Sequence, residues 1–174
     1  MTTPSTARGL TESPRLVAGW ALVGYAGAHL AFAFFDWLLP GDGTIAERSA
    51  GANFTNLVVL AMPIVAVLLA TQVQPALPQA KTIVTVAVVE YAAILLFGLV
   101  AWLIGVGAVA DGPYGNANRA FDVFGYFVLG AGRLVLAAVA GLATYQAFNR
   151  LGGALPIGIK WQTTGRTPPP PPPA

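Results

Sequence analysis

His29, Asp36, Glu90 and Arg133 each interrupt a long apolar stretch of this 174-residue chain, and Asp122 lies near the start of another. An ionisable group inside a membrane-length apolar run costs roughly 2.5–3.5 kcal/mol on insertion scales and usually faces a bundle interior or water. A carboxyl such as Glu90 can carry a proton or a cation there. An arginine among carboxylates can lock two helices or relay charge. A single histidine cannot supply bis-histidine haem ligation. The chain has no cysteine, so a metal would need His29 together with carboxylates. No metal and no cofactor is expected.

Depth sorts these groups, counted from the expected cytoplasmic boundary of each apolar run at ~1.5 Å per residue. Glu90 comes out about 12 Å deep, His29 about 20 Å, Arg133 about 24 Å and Asp36 about 30 Å. Helical side chains lean toward their own N-terminus, so Glu90 and Arg133 point apart, and that pair is rejected. Arg133 and Asp36 lean toward each other. His29 and Asp36 are seven residues apart and share a face. Asp122 and Arg133, eleven apart, also return to nearly one face. The expectation is a polar cluster of Arg133, Asp36, His29 and Asp122 in the outer half, with Arg133–Asp36 locking the fourth span to the first. Such a pair serves as a bundle lock more often than as a relay. Glu90 is expected in the inner half, with Tyr25 at a similar depth as its donor. It reads as a proton or cation site, or more plainly as a polar contact between helices.

The elements that must position these groups are set by composition. Hydrophobic residues make up 56% of the chain and charged residues 9%, where a soluble domain carries about 25% charge. The class is all-α integral membrane. A net charge of +2 with scattered basic residues excludes a nucleic-acid footprint, which needs a clustered basic face. Seven of nine basic residues are Arg, and Ala, Val and Gly abound, the usage of a GC-rich bacterial genome. The expected location is a bacterial inner (plasma) membrane, with multiple passes.

Four runs reach or approach the roughly 20 residues needed to cross a ~30 Å core: about 16–39, 54–73, 82–110 and 120–148. The first continues past Ala31–Ala33 and is too long for a secretory h-region. Pro40, Gly41 and Gly43 end it, and 40–53 reads as a loop. Pro63 lies inside the second run, where membrane helices tolerate it as a kink. Residues 1–15 read as a disordered tail, 16–149 as a four-transmembrane-helix bundle, and 150–174 as a proline-rich tail. Pro168 to Pro173 would form a polyproline II rod. Such a rod is either a solvated terminus or a ligand for a cytoplasmic partner's aromatic groove.

Lys and Arg in short loops set orientation. Arg8, Arg15, Lys81, Arg150, Lys160 and Arg166 fall on one side; Arg48 and Arg119 fall on the other. Both termini are therefore expected in the cytoplasm. Small residues at four-residue spacing allow helices to approach closely in lipid: Gly24 with Ala28, Gly27 with Ala31, Ala101 with Gly105, Ala137 with Gly141. Spans one, three and four are expected to pack closely, with span two peripheral.

No phosphate loop, nucleophile elbow or paired metal motif is present. Four spans, both ends inside and a proline-rich tail make a layout that resembles tetraspan membrane proteins of the MARVEL type. The likeness is one of layout, and no residue role is carried from it. The function expected is a non-enzymatic accessory or scaffold subunit in the lipid bilayer, assembling as a homo-oligomer or within a larger membrane complex through Gly/Ala faces. The alternative is a small proton-coupled transporter or channel using Glu90 and the Arg133/Asp36 cluster.

Overall fold

Helix is the only regular structure among the described residues, in five segments: α1 (Thr6–Leu38), α2 (Ile45–Gly51), α3 (Leu57–Thr71), α4 (Ala80–Ala110) and α5 (Asn116–Arg150). The structure, a computed structural model, describes residues 6–39, 41, 43–73, 76–111 and 116–153, without the side chains of 6–13 and 116–118. The proline tract at 168–173, the rest of the tail from 154, and the turn residues 40, 42, 74–75 and 112–115 lie outside the described residues.

Three helices are long and apolar enough to cross a membrane: Pro14–Leu38 of α1, α4, and Arg119–Arg150 of α5, with 25, 31 and 32 residues. At ~1.5 Å per residue each exceeds a ~30 Å hydrocarbon layer. α3 has 15 residues, about 22 Å, and falls short alone. α1 begins at Thr6, inside the stretch read as a disordered tail, and keeps Pro14 within it. Extending an existing helix costs far less than nucleating one, and Ala7, Arg8, Leu10 and Glu12 are good helix formers.

The loop expected over 40–53 is half helix. Thr44 caps α2: its hydroxyl accepts from the Glu47 N–H at 3.2 Å, and the Thr44 N–H donates to Glu47 Oε2 at 2.7 Å. This reciprocal box satisfies two otherwise orphaned donors. Gly43 precedes it at φ +88°, and a Cβ there would stand 2.7 Å from Glu47 Oε2. Only glycine meets both demands.

The C-terminal ends of three helices are each held by a cation. Arg15 donates to the Leu69 carbonyl in the last turn of α3 and the Val73 carbonyl just beyond it, at 2.8 and 2.5 Å. Arg48 donates to the Leu39 carbonyl at the end of α1. Lys81 donates to the Gly152 carbonyl beyond α5 at 3.2 Å. Free carbonyls and the negative end of the helix dipole favour a cation at each position.

α4 is the central helix and touches all four others, while α1 and α5 do not touch. Its buried stripe runs Ile83, Ala87, Glu90, Ile94, Ala101 and Gly105, a helical period with small residues toward one end. Close packing fixes the register. On α1, Gly19 faces Ile83 and Gly27 faces Glu90, so the two helices run parallel. On α5, Tyr126 faces Gly105, Gly130 faces Trp102, Leu134 faces Gly98 and Gly141 faces Tyr91, so α5 runs antiparallel to α4.

Two packing expectations are overturned. α3 is not peripheral: it contacts α1, α4 and α5 and buries Val59, Leu60, Pro63, Ala66, Val67 and Ala70. Its branched side chains fill the angle between straighter neighbours. Of the small residues, Gly27, Ala137 and Gly141 do lie between helices. Gly24, Ala28 and Ala31 face outward. Ala101 and Gly105 are buried, but Gly105 receives Ala50 of α2 as well as Tyr126 of α5. Glycine admits whatever backbone comes nearest, and here α2 sits beside α4.

Candidate functional site

The connector between α2 and α3, residues 52–56, is a non-helical segment that packs deep against the bundle. Thr55 Cγ2 and Phe54 Cβ lie against Gly98 of α4. Phe54 is 1% exposed and packs against Trp37 and Phe97 at ring-centroid distances of 5.8 and 6.0 Å. Trp37 Nε1 donates to Ser49 Oγ at 2.7 Å, and Ser49 donates on to the Ile45 carbonyl at 2.7 Å. Asn56 then caps α3, its side chain accepting from the Val58 N–H at 2.9 Å. Irregular backbone at membrane depth is tolerated where protein buries it or where it lines a polar cavity. Both conditions hold here.

A cavity lies on each side of this connector, and Ala52 lines both. One, about 340 Å³, is lined by His29, Asp36, Trp37, Arg48 and Asn53. His29 Nε2 stands 3.4 Å from the Asn53 carbonyl oxygen. That oxygen can only accept, so the bond requires the proton on Nε2. The other cavity, about 290 Å³, lies between the connector, α4 and α5, and Thr55, Trp102, Tyr126 and Arg133 line it.

The expected four-member cluster is therefore divided. His29 and Asp36 share a cavity. Arg133 faces the other one, and Asp122 is exposed and lines neither. Asp36 and Arg133 form no ion pair, since their helices do not meet. Depth reasoning set the two about 6 Å apart along the membrane normal, and it carries no information about which side of a helix a neighbour occupies.

Glu90 is 6% exposed. Its Oε1 lies against Gly27 of α1, and its Oε2 is buried with no hydrogen-bond partner among the described residues. Tyr25 is not its donor: that ring is 55% exposed and stacks beside His29 at 6.5 Å. The buried tyrosine is the next residue, Tyr91, whose hydroxyl donates to the Leu60 carbonyl at 2.5 Å. Pro63, three residues further on, lacks the N–H that would otherwise meet the Val59 carbonyl. Among the described residues no three of His, Asp and Glu gather as a metal site.

Sequence reasoning missed Arg48, Ser49, Trp102 and Tyr126. The pattern Thr44-x-x-Glu47 was a readable signal for α2 and so for the first two. Trp102 and Tyr126 carry no such signal, because their place depends on the α4–α5 register. Comparison with protein-family models, curated proteins and solved structures finds no match to this chain.

Proposed function

We propose that this chain is a non-enzymatic integral membrane protein of four spans, with both termini on the cytoplasmic side, that assembles with itself or with a larger membrane complex. The second span in this reading is broken: α3 supplies about 22 Å and the connector the remainder. Arg15, Lys81 and Arg150 at one end of the bundle, against Arg48 and Arg119 at the other, support the orientation through the excess of basic residues on the cytoplasmic side.

One observation carries the reading. Val17, Ala21, Gly24, Ala28, Ala31 and Phe35 of α1 are all exposed, and nothing lies within 4 Å of a Cβ built at Gly24. Their alternating four- and three-residue spacing makes a seam whose middle four residues, Ala21, Gly24, Ala28 and Ala31, are small. Lipid gives helices no hydrophobic drive to associate, so close backbone approach across such seams supplies it. The test uses the chain's lack of cysteine: Ala28→Cys is introduced alone, in membranes. A disulfide-linked dimer, or a stoichiometric membrane subunit co-purifying in mild detergent and lost in Gly24→Leu, is expected. A monomer with no companion in both assays sinks the reading.

A second reading, proton-coupled transport, is favoured by the unpartnered Oε2 of Glu90. A carboxyl held from water with no counter-charge is cheapest in its neutral form, and such a group can exchange a proton when access opens. Equal proton flux into liposomes for the native chain and Glu90→Gln would reject it.

A further inference from the structure

We infer that the cavity between the connector, α4 and α5 is a binding site for an oxyanion head group, a phosphate or carboxylate, with Arg133 as its anchor. This is independent of the assembly reading, which rests on α1. Arg133 lies fourteen residues from Arg119 and seventeen from Arg150, near the middle of the membrane-length stretch of α5. A guanidinium there needs water or an anion.

Among the described residues no carboxylate lies in the wall of its cavity. Asp36, at the same level, lines the other cavity beyond the connector. Arg133 stands level with Leu99, nine residues past Glu90 on α4, so about 14 Å separates Glu90 from it along the axis. The hydroxyls of the cavity lining include those of Thr55 and of Tyr126, seven residues before Arg133 on α5. Ser49 also lines it, but its hydroxyl already donates to Ile45.

The walls are shaped for a guest. Tyr126 seats its hydroxyl over the bare Cα of Gly105, and Trp102 lies against Gly130. The Trp102 ring also tilts against Phe127 at 4.9 Å. Two aromatic side chains thus line the cavity together with Arg133, whose planar fork can bind an oxyanion in a bidentate manner. A volume of about 290 Å³ is at the small end of ligand pockets. It suits a phosphate with a glycerol-sized substituent, and is too small for a dinucleotide. The exposed apolar side chain of Leu129, in the cavity wall, would lie along an acyl chain.

The experiment is native mass spectrometry of the full chain in neutral detergent, titrated with phosphatidylglycerol, with phosphatidylcholine, and with inorganic phosphate as competitor. The native chain should take up one phosphatidylglycerol at least tenfold more tightly than phosphatidylcholine. Arg133→Gln should abolish that preference, Arg133→Lys should keep a reduced one, and Arg119→Gln should leave it intact. Displacement by millimolar phosphate assigns the site to free oxyanions as well. Retention in phosphate assigns it to the lipid head group. Equal uptake of both lipids with no phosphate response overturns the proposal, and so does a preference that survives Arg133→Gln. If Arg133→Gln does not fold, the native chain and Arg133→Lys decide: full native affinity in the lysine variant, or no preference in the native chain, overturns it.

Discussion

Asp36 and Arg133 stand level along the bundle, both opposite Leu99 of α4, and do not meet. Asp36 is nine residues beyond Gly27, which faces Glu90; Arg133 is one residue before Leu134, which packs on Gly98. Between them lies the connector, with Ala52 in the wall of both cavities. Each charge therefore acts alone. Charge reversal at both positions should not rescue either single reversal. In a double-mutant cycle on detergent unfolding, Asp36→Arg and Arg133→Asp should add within about 0.3–0.5 kcal/mol, the behaviour of sites without shared partners. A coupling above about 1 kcal/mol would restore the lock.

The glycines separate into packed and open positions, which gives a sharp contrast. A Cβ at Gly105 would meet Tyr126 Oη and the Ala50 Cα, the latter at 2.9 Å. The tyrosine can swing, but the Ala50 backbone cannot without moving α2. Gly105→Ala should cost about 1–3 kcal/mol, the range for overpacking, and should raise proteolysis around residues 44–56. Gly24→Ala meets nothing within 4 Å. It should be neutral or stabilise by about 0.5–1 kcal/mol through helix propensity. Thermal midpoints of the two variants check both halves, and similar losses in both would show that the α2 contact is not the cause.

Much of the helical layout was legible from apolar run lengths, because membrane spans announce themselves by composition. The runs at 82–110 and 120–148 end within a few residues of α4 and within four of α5. The second run, 54–73, overshoots α3 by three residues at its start, because an apolar run records where lipid or protein surrounds the chain and not whether the backbone is helical. Phe54 extends the run by its apolar ring, yet Phe54 and Thr55 form a turn, with Phe54 packed against Trp37 and Phe97. The candidate site showed in the sequence only as residue types, Arg133, Asp36 and His29 within apolar runs. It was illegible in its partition, since the side on which a neighbour packs is set by tertiary contacts such as Tyr126 on Gly105.

Arg15 ties α1 to the end of α3 through two carbonyls. Hydrogen bonds from a charged donor are worth roughly 1.5–3 kcal/mol when part-buried, and the helix dipole adds to them. Arg15→Gln keeps a donor and the stem but loses the charge and the fork. It should lower stability by about 1–2 kcal/mol, with Arg15→Lys intermediate. Exchange of the last-turn amides of α3, from Leu68 to Gln72, should rise first. Unchanged protection there would remove the capping role.

The Thr44–Glu47 box should make α2 sensitive to acid. The Glu47 carboxyl sits below its ordinary value of 4.5 because the Thr44 N–H, and then the Thr44 hydroxyl, donate to its charged form. A depressed carboxylate contributes stability that is complete above the unfolded value and disappears as pH falls through the lower folded one. Protection of the α2 amides, corrected for intrinsic exchange, should therefore be flat from pH 7 to 5 and decline below about 4.5. Trp37 fluorescence should shift in the same window, because its indole N–H is held by Ser49 on α2. Thr44→Ala removes the acceptor and one donor of the box and should lower α2 protection about fivefold at neutral pH, with a weaker decline in acid. If the native chain and Thr44→Ala titrate identically, the Thr44–Glu47 box does not govern the acid response.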